Sequence, residues 1–151
     1  MPAYYVDASA LVKRYIEEEG SAIMDRLLDD PDVLAYVSHI AAAEVVAALT
    51  RRGRGERWAE ERIDERVDLF FDDLNARLRR LDTSKGILDS GIALARQHGL
   101  RGYDAVHLAA AIDINALHTG GGVDPVVLVS ADDELNAAAE AEGLAVLNPL
   151  H

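Results

Sequence analysis

"YYVDASALVKRY", Tyr4 to Tyr15, places a carboxylate at the end of a stretch that otherwise reads as core. Ala3 to Val6 has strand composition and Ala8 to Tyr15 reads as the start of a helix, so Asp7 stands at a strand-to-helix junction. A buried charge is costly unless it is paired, hydrogen-bonded or bound to a cation. A second such junction lies late in the chain. In "VVLVSADDEL", Val126 to Leu135, four consecutive apolar residues lead through Ser130 to Asp132 and Asp133. An unbroken apolar run suits a strand buried on both faces of a parallel sheet. Ligands of open parallel sheets bind beyond the carboxyl ends of the strands, so Asp7 and Asp132 are expected at one edge.

The segments between these two junctions alternate in the same way. Ser21 to Asp29 predicts an amphipathic helix broken by Pro31, followed by a strand at Val33 to Val37. Ser38 is the expected N-cap of a helix running to Thr50, ended by Gly53 and Gly55. Glu56 to Leu74 predicts a long charged helix with Trp58, Ile63, Val67, Phe70, Phe71 and Leu74 as core. A short strand is expected at Leu78 to Leu81, then a helix capped by Thr83 or Ser84 and stopped by Gly99 after His98. Tyr103 to Ala116 predicts an apolar helix and "TGGGVDP", Thr119 to Pro125, a loop. Ala131 to Glu142 reads as helix, Gly143 as its stop and Leu144 to Leu147 as the last strand. This alternation predicts an α/β fold with a central, mainly parallel sheet and helices on both faces. Without repeats or a compositional boundary, residues 1–151 are expected to form one domain.

The chain has no cysteine, which excludes disulfides and thiolate metal sites. No apolar run approaches the roughly 20 residues that span a bilayer, and the start has no basic region ahead of an apolar one, so a cytoplasmic protein is expected. A formal charge of −12 argues against binding nucleic acid through the surface as a whole. The one basic cluster, "RRGRGER" from Arg51 to Arg57, leaves room for a local basic patch.

Two further acids interrupt apolar helical segments. In "IAAAEVVAAL", Glu44 is the only polar residue between Ile40 and Leu49, which places it in the buried stripe. In "YDAVHLAAAI", Asp104 opens a helix whose N-terminus favours an anion. Three of the acids also have an ordinary reading: Asp7 bonded to the amides of the next turn, Asp104 as a helix-end charge, Asp132 as an N-cap. Glu44, in an apolar stripe, needs a partner. Four together favour a site. Their mutual repulsion would raise some of their pKa values unless a cation neutralises it. No lysine or arginine occupies the apolar positions beside them, although Lys13 and Arg14 lie within reach of the turn after Asp7. An all-oxygen set suits Mg²⁺ or Mn²⁺, ions that activate water and stabilise a leaving oxygen. His107 falls one turn after Asp104 and is expected to be a packed, hydrogen-bonded histidine rather than a ligand. His39 lies beside the N-cap, and His98, His118 and His151 fall at ends or in loops, without a role.

The segments "YYVDASALVKRY", "SHIAAAEVVAAL", "LRGYDAVHLAAAI" and "VVLVSADDELNAAAEAEGLAVLNP", in this order, resemble the PIN-domain family, specifically the VapC-like toxin ribonucleases. The resemblance implies metal-dependent hydrolysis of RNA in an acidic pocket holding Mg²⁺ or Mn²⁺. Asp7 and Asp104 would be the principal ligands, Glu44 would complete or orient the site, and Asp132, or its neighbour Asp133, would be the fourth acid. Ser9 matches the small hydroxyl residue of the first motif, and Ser130 could act similarly. A homodimer and a cognate antitoxin are also implied, with the helices of Ala8 to Asp29 and Glu56 to Leu74 as an apolar groove for the latter. Two rival readings are a catalytically inactive PIN-like binding module and an aspartate phosphotransfer domain. The first predicts missing acids. The second wants either another acid two residues after Asp7, where Ser9 stands, or a lysine near a late strand end.

Overall fold

The computed structural model describes residues 1–151. Five strands, β1 (Ala3–Val6), β2 (Leu34–Ser38), β3 (Leu78–Leu81), β4 (Val126–Val129) and β5 (Ala145–Leu147), pair in the order β3-β2-β1-β4-β5. Every pairing is parallel. Seven helices connect them: α1 (Ala8–Leu11), α2 (Ser21–Asp29), α3 (His39–Gly55), α4 (Glu60–Ala76), α5 (Lys85–His98), α6 (Gly102–Gly120) and α7 (Asp133–Ala141). A 3₁₀ turn, Val12–Arg14, continues α1. The α/β arrangement matches the expectation, and no helix is long and apolar enough to cross a membrane.

The sheet is buried on both faces because β1 alternates between two cores. Ala3 and Tyr5 join Leu94, Leu108, Leu128 and Leu135 in the core under α5, α6 and α7. Val6 joins Leu11, Met24, Val45 and Phe70 in the core under α1 to α4. From β1 the chain steps outward through β2 to β3, then returns to place β4 on the other side of β1. The β1/β4 boundary is therefore the point where strand order reverses, the position at which parallel sheets open a crevice for ligands.

Several helix ends follow their sequence signals. Ser38 Oγ accepts the Ile40 N–H, Ser84 Oγ accepts the Ile87 N–H, and Gly99 closes α5 at φ +68°. Other expectations need correction. α3 passes through Gly53, which is buried because α4 lies against it: a Cβ there would sit 2.5 Å from Ile63 Cγ1. α4 starts at Glu60, after Arg57 takes φ +59°, so Trp58 precedes the helix, with Arg62 stacked 4.0 Å above its ring. On α4, Ile63, Phe70 and Leu74 are buried, whereas Phe71 is exposed. α6 extends to Gly120 and carries His118 as a buried residue rather than a loop one. The buried residues of α1, α2 and α4 belong to the second core.

Candidate active site

Asp7 leaves β1 at the strand-order reversal, 3% exposed, and every polar contact it makes is supplied by the two junctions met in the sequence. Its Oδ1 accepts the Ser9 hydroxyl (2.7 Å) and the Ala10 N–H (3.0 Å), which caps α1. Its Oδ2 accepts the Ser130 hydroxyl (2.7 Å), which comes from the end of β4. Each serine also accepts an N–H from the β4–α7 turn: Ser9 from Ala131 (3.0 Å) and Ser130 from Asp132 (3.1 Å). Ser9 and Ser130 thus aim Asp7 and the approach to α7 together. Burial pushes the Asp7 carboxyl up, and the hydrogen bonds from Ser130, Ser9 and Ala10 oppose that rise.

Asp132 is the N-cap of α7, its Oδ1 accepting the Leu135 N–H (3.0 Å). It also faces the site, since its charge is the largest electrostatic influence on Asp104. Asp132 therefore caps α7 and also bears on Asp104. Asp133 is exposed and turns to the Asn148 amide.

Asp104, in the first turn of α6, is half-buried, and its pKa is pushed up to about 6. Burial is the first cause, followed by the charges of Asp132 and Asp7, with Glu44 adding to them and His107 opposing. Asp132, Asp7 and Glu44 therefore all act on Asp104. Glu44 corrects its expectation in one respect. The buried stripe of α3 is Ala41, Val45 and Leu49, and Glu44 lies at its margin with its side chain 27% exposed. Its Oε1 accepts a hydrogen bond from His107 Nε2 at 2.5 Å. His107, buried in α6, is also 2.8 Å from the Tyr5 hydroxyl through Nδ1. That contact joins α3, α6 and β1 across large sequence separations, and only the spacing of His107 one turn after Asp104 hinted at it.

The donor set fits a hard divalent cation. It consists of carboxylate oxygens whose repulsion His107 opposes but no lysine or arginine neutralises. Lys13 pairs with Glu18, and Arg14 with Asp73, Asp25 and Asp29, so neither reaches the acids. No three acidic or histidine side chains are gathered closely enough to enclose an ion. An open shell of this kind suits Mg²⁺, which keeps several waters and is bound through one or two carboxylates.

The basic cluster is partly spent within the fold. Arg52 bonds Glu56 and Glu18, and Arg54 bonds Glu60.

Comparison with known proteins identifies the family. The PIN domain family model matches residues 4–141. Ribonuclease VapC49 of Mycobacterium tuberculosis strain H37Rv is 35% identical over 147 residues, covering 97% of this chain and 95% of that protein. Ribonuclease VapC46 of the same strain is 35% identical over 149 residues, covering 99% of each. Among solved structures, a toxin–antitoxin complex from Klebsiella pneumoniae superposes with a TM-score of 0.64 at 17% identity, covering 97% of both chains. With its parallel sheet, the acids at the β1/β4 crevice and these full-length relatives, the chain belongs to the PIN-domain family of VapC ribonucleases.

Proposed function

We propose that the chain is a Mg²⁺- or Mn²⁺-dependent endoribonuclease, acting in the cytoplasm as the toxin of a toxin–antitoxin pair. The observation that supports this reading is the meeting of the two junctions, where Ser9 and Ser130 hold the Asp7 carboxylate beside the turn that Asp132 caps. The Asp104 carboxyl is raised first by burial and then by the charges of Asp132, Asp7 and Glu44. Asp7 and Asp104 would be the principal ligands of the cation, with Glu44 and Asp132 completing its shell directly or through its waters. When bound, the cation would supply Lewis acidity to the scissile phosphate and a lowered pKa to an attacking water. Ser9 and Ser130 fix the Asp7 carboxylate, and the α7 N-cap fixes Asp132, so neither acid must reorganise on binding. No side chain is placed as a covalent nucleophile.

The presence of all four acids disfavours the inactive-module reading. A phosphotransfer role is disfavoured because Ser9 stands where a second acid would be needed and Lys13 is paired with Glu18 rather than with Asp7. The relatives named as VapC ribonucleases support RNA as substrate, and the toxin–antitoxin likeness supports a cognate antitoxin. A second copy of the chain is the proposed cover for the apolar surface where α5 meets the start of α6, beside Asp104.

Incubating the purified chain with RNA and Mn²⁺ tests the reading. Cleavage should require the metal, stop with EDTA and be lost in Asp7→Asn while the thermal unfolding transition is retained. Metal-independent cleavage, or an Asp7→Asn variant as active as the wild type, would remove it.

A further inference from the structure

Two tyrosine–histidine pairs join α6 to the sheet. Tyr5 and Tyr36 are register partners on β1 and β2. The Tyr5 hydroxyl lies 2.8 Å from His107 Nδ1, and the Tyr36 hydroxyl lies 2.8 Å from His118 Nε2. Both pairs meet edge to face, with ring centroids 5.9 and 5.5 Å apart. They differ in what the second ring nitrogen touches. His118 Nδ1 donates to the backbone carbonyl of Asp124 at 2.9 Å, a contact remote from the acids. His107 Nε2 meets Glu44 Oε1.

The carboxylate can only accept, so Nε2 carries the hydrogen and Nδ1 receives the Tyr5 O–H. The result is a directed chain, Tyr5 to His107 to Glu44, whose first two members are 0% and 1% exposed. Both nitrogens of His107 are occupied, so it is not itself a ligand. Glu44 is different. It stands at the margin of α3 with several rotatable bonds, and its hydrogen bond within the fold uses Oε1 alone. Without that bond the carboxylate would sample many rotamers, and binding a cation would carry the cost of ordering it.

We propose that His107, held by Tyr5, is a positioning residue for Glu44: it fixes Oε1 and leaves Oε2 as the oxygen offered to a divalent cation. This rests on the reading of the acidic cluster as a cation site. Partners that orient the ligands of a metal typically change its affinity by about 10–100-fold when removed. The Tyr36–His118 pair is a built-in comparison, being the same chemistry on the same helix with no acid at its end.

The experiment is titration of the purified full chain with Mn²⁺ alone, following free ion by electron paramagnetic resonance, with thermal unfolding recorded for every variant. His107→Leu should weaken Mn²⁺ binding by about 10–100-fold. His107→Gln, which restores an N–H near the position of Nε2, should return affinity to within about threefold of wild type, above the span set by orienting partners. Tyr5→Phe should weaken binding at the lower end of that span, and it decides the matter should His107→Leu not fold. Tyr36→Phe should lower the unfolding temperature without changing Mn²⁺ affinity. In a Glu44→Gln background, His107→Leu should have no further effect on binding. If Glu44→Gln weakens binding but His107→Leu and Tyr5→Phe bind as wild type, the positioning role is wrong and the cation site stands. If Glu44→Gln itself binds as wild type, the assignment of Glu44 to the site fails and the proposal fails with it.

Discussion

Asp104 opens α6 with a carboxyl pushed up to about 6 by burial and by the charges of Asp132 and Asp7. Its unfolded value is 3.8, so between these two pH values the folded chain holds more protons than the unfolded chain. Stability from this group is therefore present at the acid side of the window and falls as pH rises through about 6. At neutral pH, without cation, the ionised Asp104 works against the fold. Asp104→Asn removes that charge. In EDTA at pH 7.5 it should unfold at a higher temperature than the wild type. The difference should vanish near pH 4, where the native carboxyl is already protonated, and RNA cleavage should be lost throughout. A variant less stable than wild type at pH 7.5 would mean that the acids do not strain one another as described. The four acids were legible because each interrupts apolar sequence. The partners of Glu44 were not, because His107 and Tyr5 meet it only after α3, α6 and β1 pack, at separations of up to 102 residues along the chain.

Gly53 shows where local signals mislead about a helix. Glycine costs about 1 kcal/mol relative to alanine in a helix interior, which is why it reads as a stop. Here the chain tolerates that cost because α4 needs the space: Ile63 Cγ1 and Cδ1 would lie 2.5 and 2.8 Å from an added Cβ, and Trp58 Cε3 would lie 3.0 Å away. Gly53→Ala gains helix propensity and loses more to overpacking, typically 1–3 kcal/mol for an inserted carbon, so it should destabilise by about 1 kcal/mol net in urea unfolding. A stabilised variant would show that α4 moves aside freely. Arg14 makes the complementary point for the turn after α1. It donates to Asp73 of α4 (2.8 Å) and to Asp29 (2.8 Å) and Asp25 (3.3 Å) of α2, while the Tyr15 hydroxyl donates to Asp73 at 2.7 Å. Arg14→Ala leaves Asp73 poorly solvated and should cost about 2 kcal/mol by the same measurement, given what hydrogen bonds to charged groups contribute. Sequence placed α2 and α4 by their apolar periodicity, with Pro31 ending the first. It could not say that Arg14 serves the α2–α4 contact rather than the acids, because that depends on which way the turn after α1 faces.

The chain carries a formal charge of −12, yet the surface where α5 meets the start of α6 is apolar: Ile92 is 70% exposed, Tyr103 64% and Leu88 43%, with Ile40 and Val106 behind them. An apolar patch on so charged a molecule points to a contact surface. The patch includes Tyr103, which Asp104 follows directly in α6. A parallel sheet with helices on both faces was readable from the alternation of elements, but this patch was not. Periodicity marks Leu88 and Ile92 as apolar without telling which apolar side chains the core leaves outside. If a second copy covers it through a two-fold axis, every substitution enters the interface twice. Ile92→Glu would then set two like charges against apolar neighbours at the centre of the contact. In sedimentation equilibrium at micromolar concentration, the wild type should have twice the 16.4 kDa mass of one chain and Ile92→Glu the mass of a single chain, with the far-ultraviolet spectrum unchanged. Wild-type protein that stays monomeric at that concentration would assign the patch to another partner.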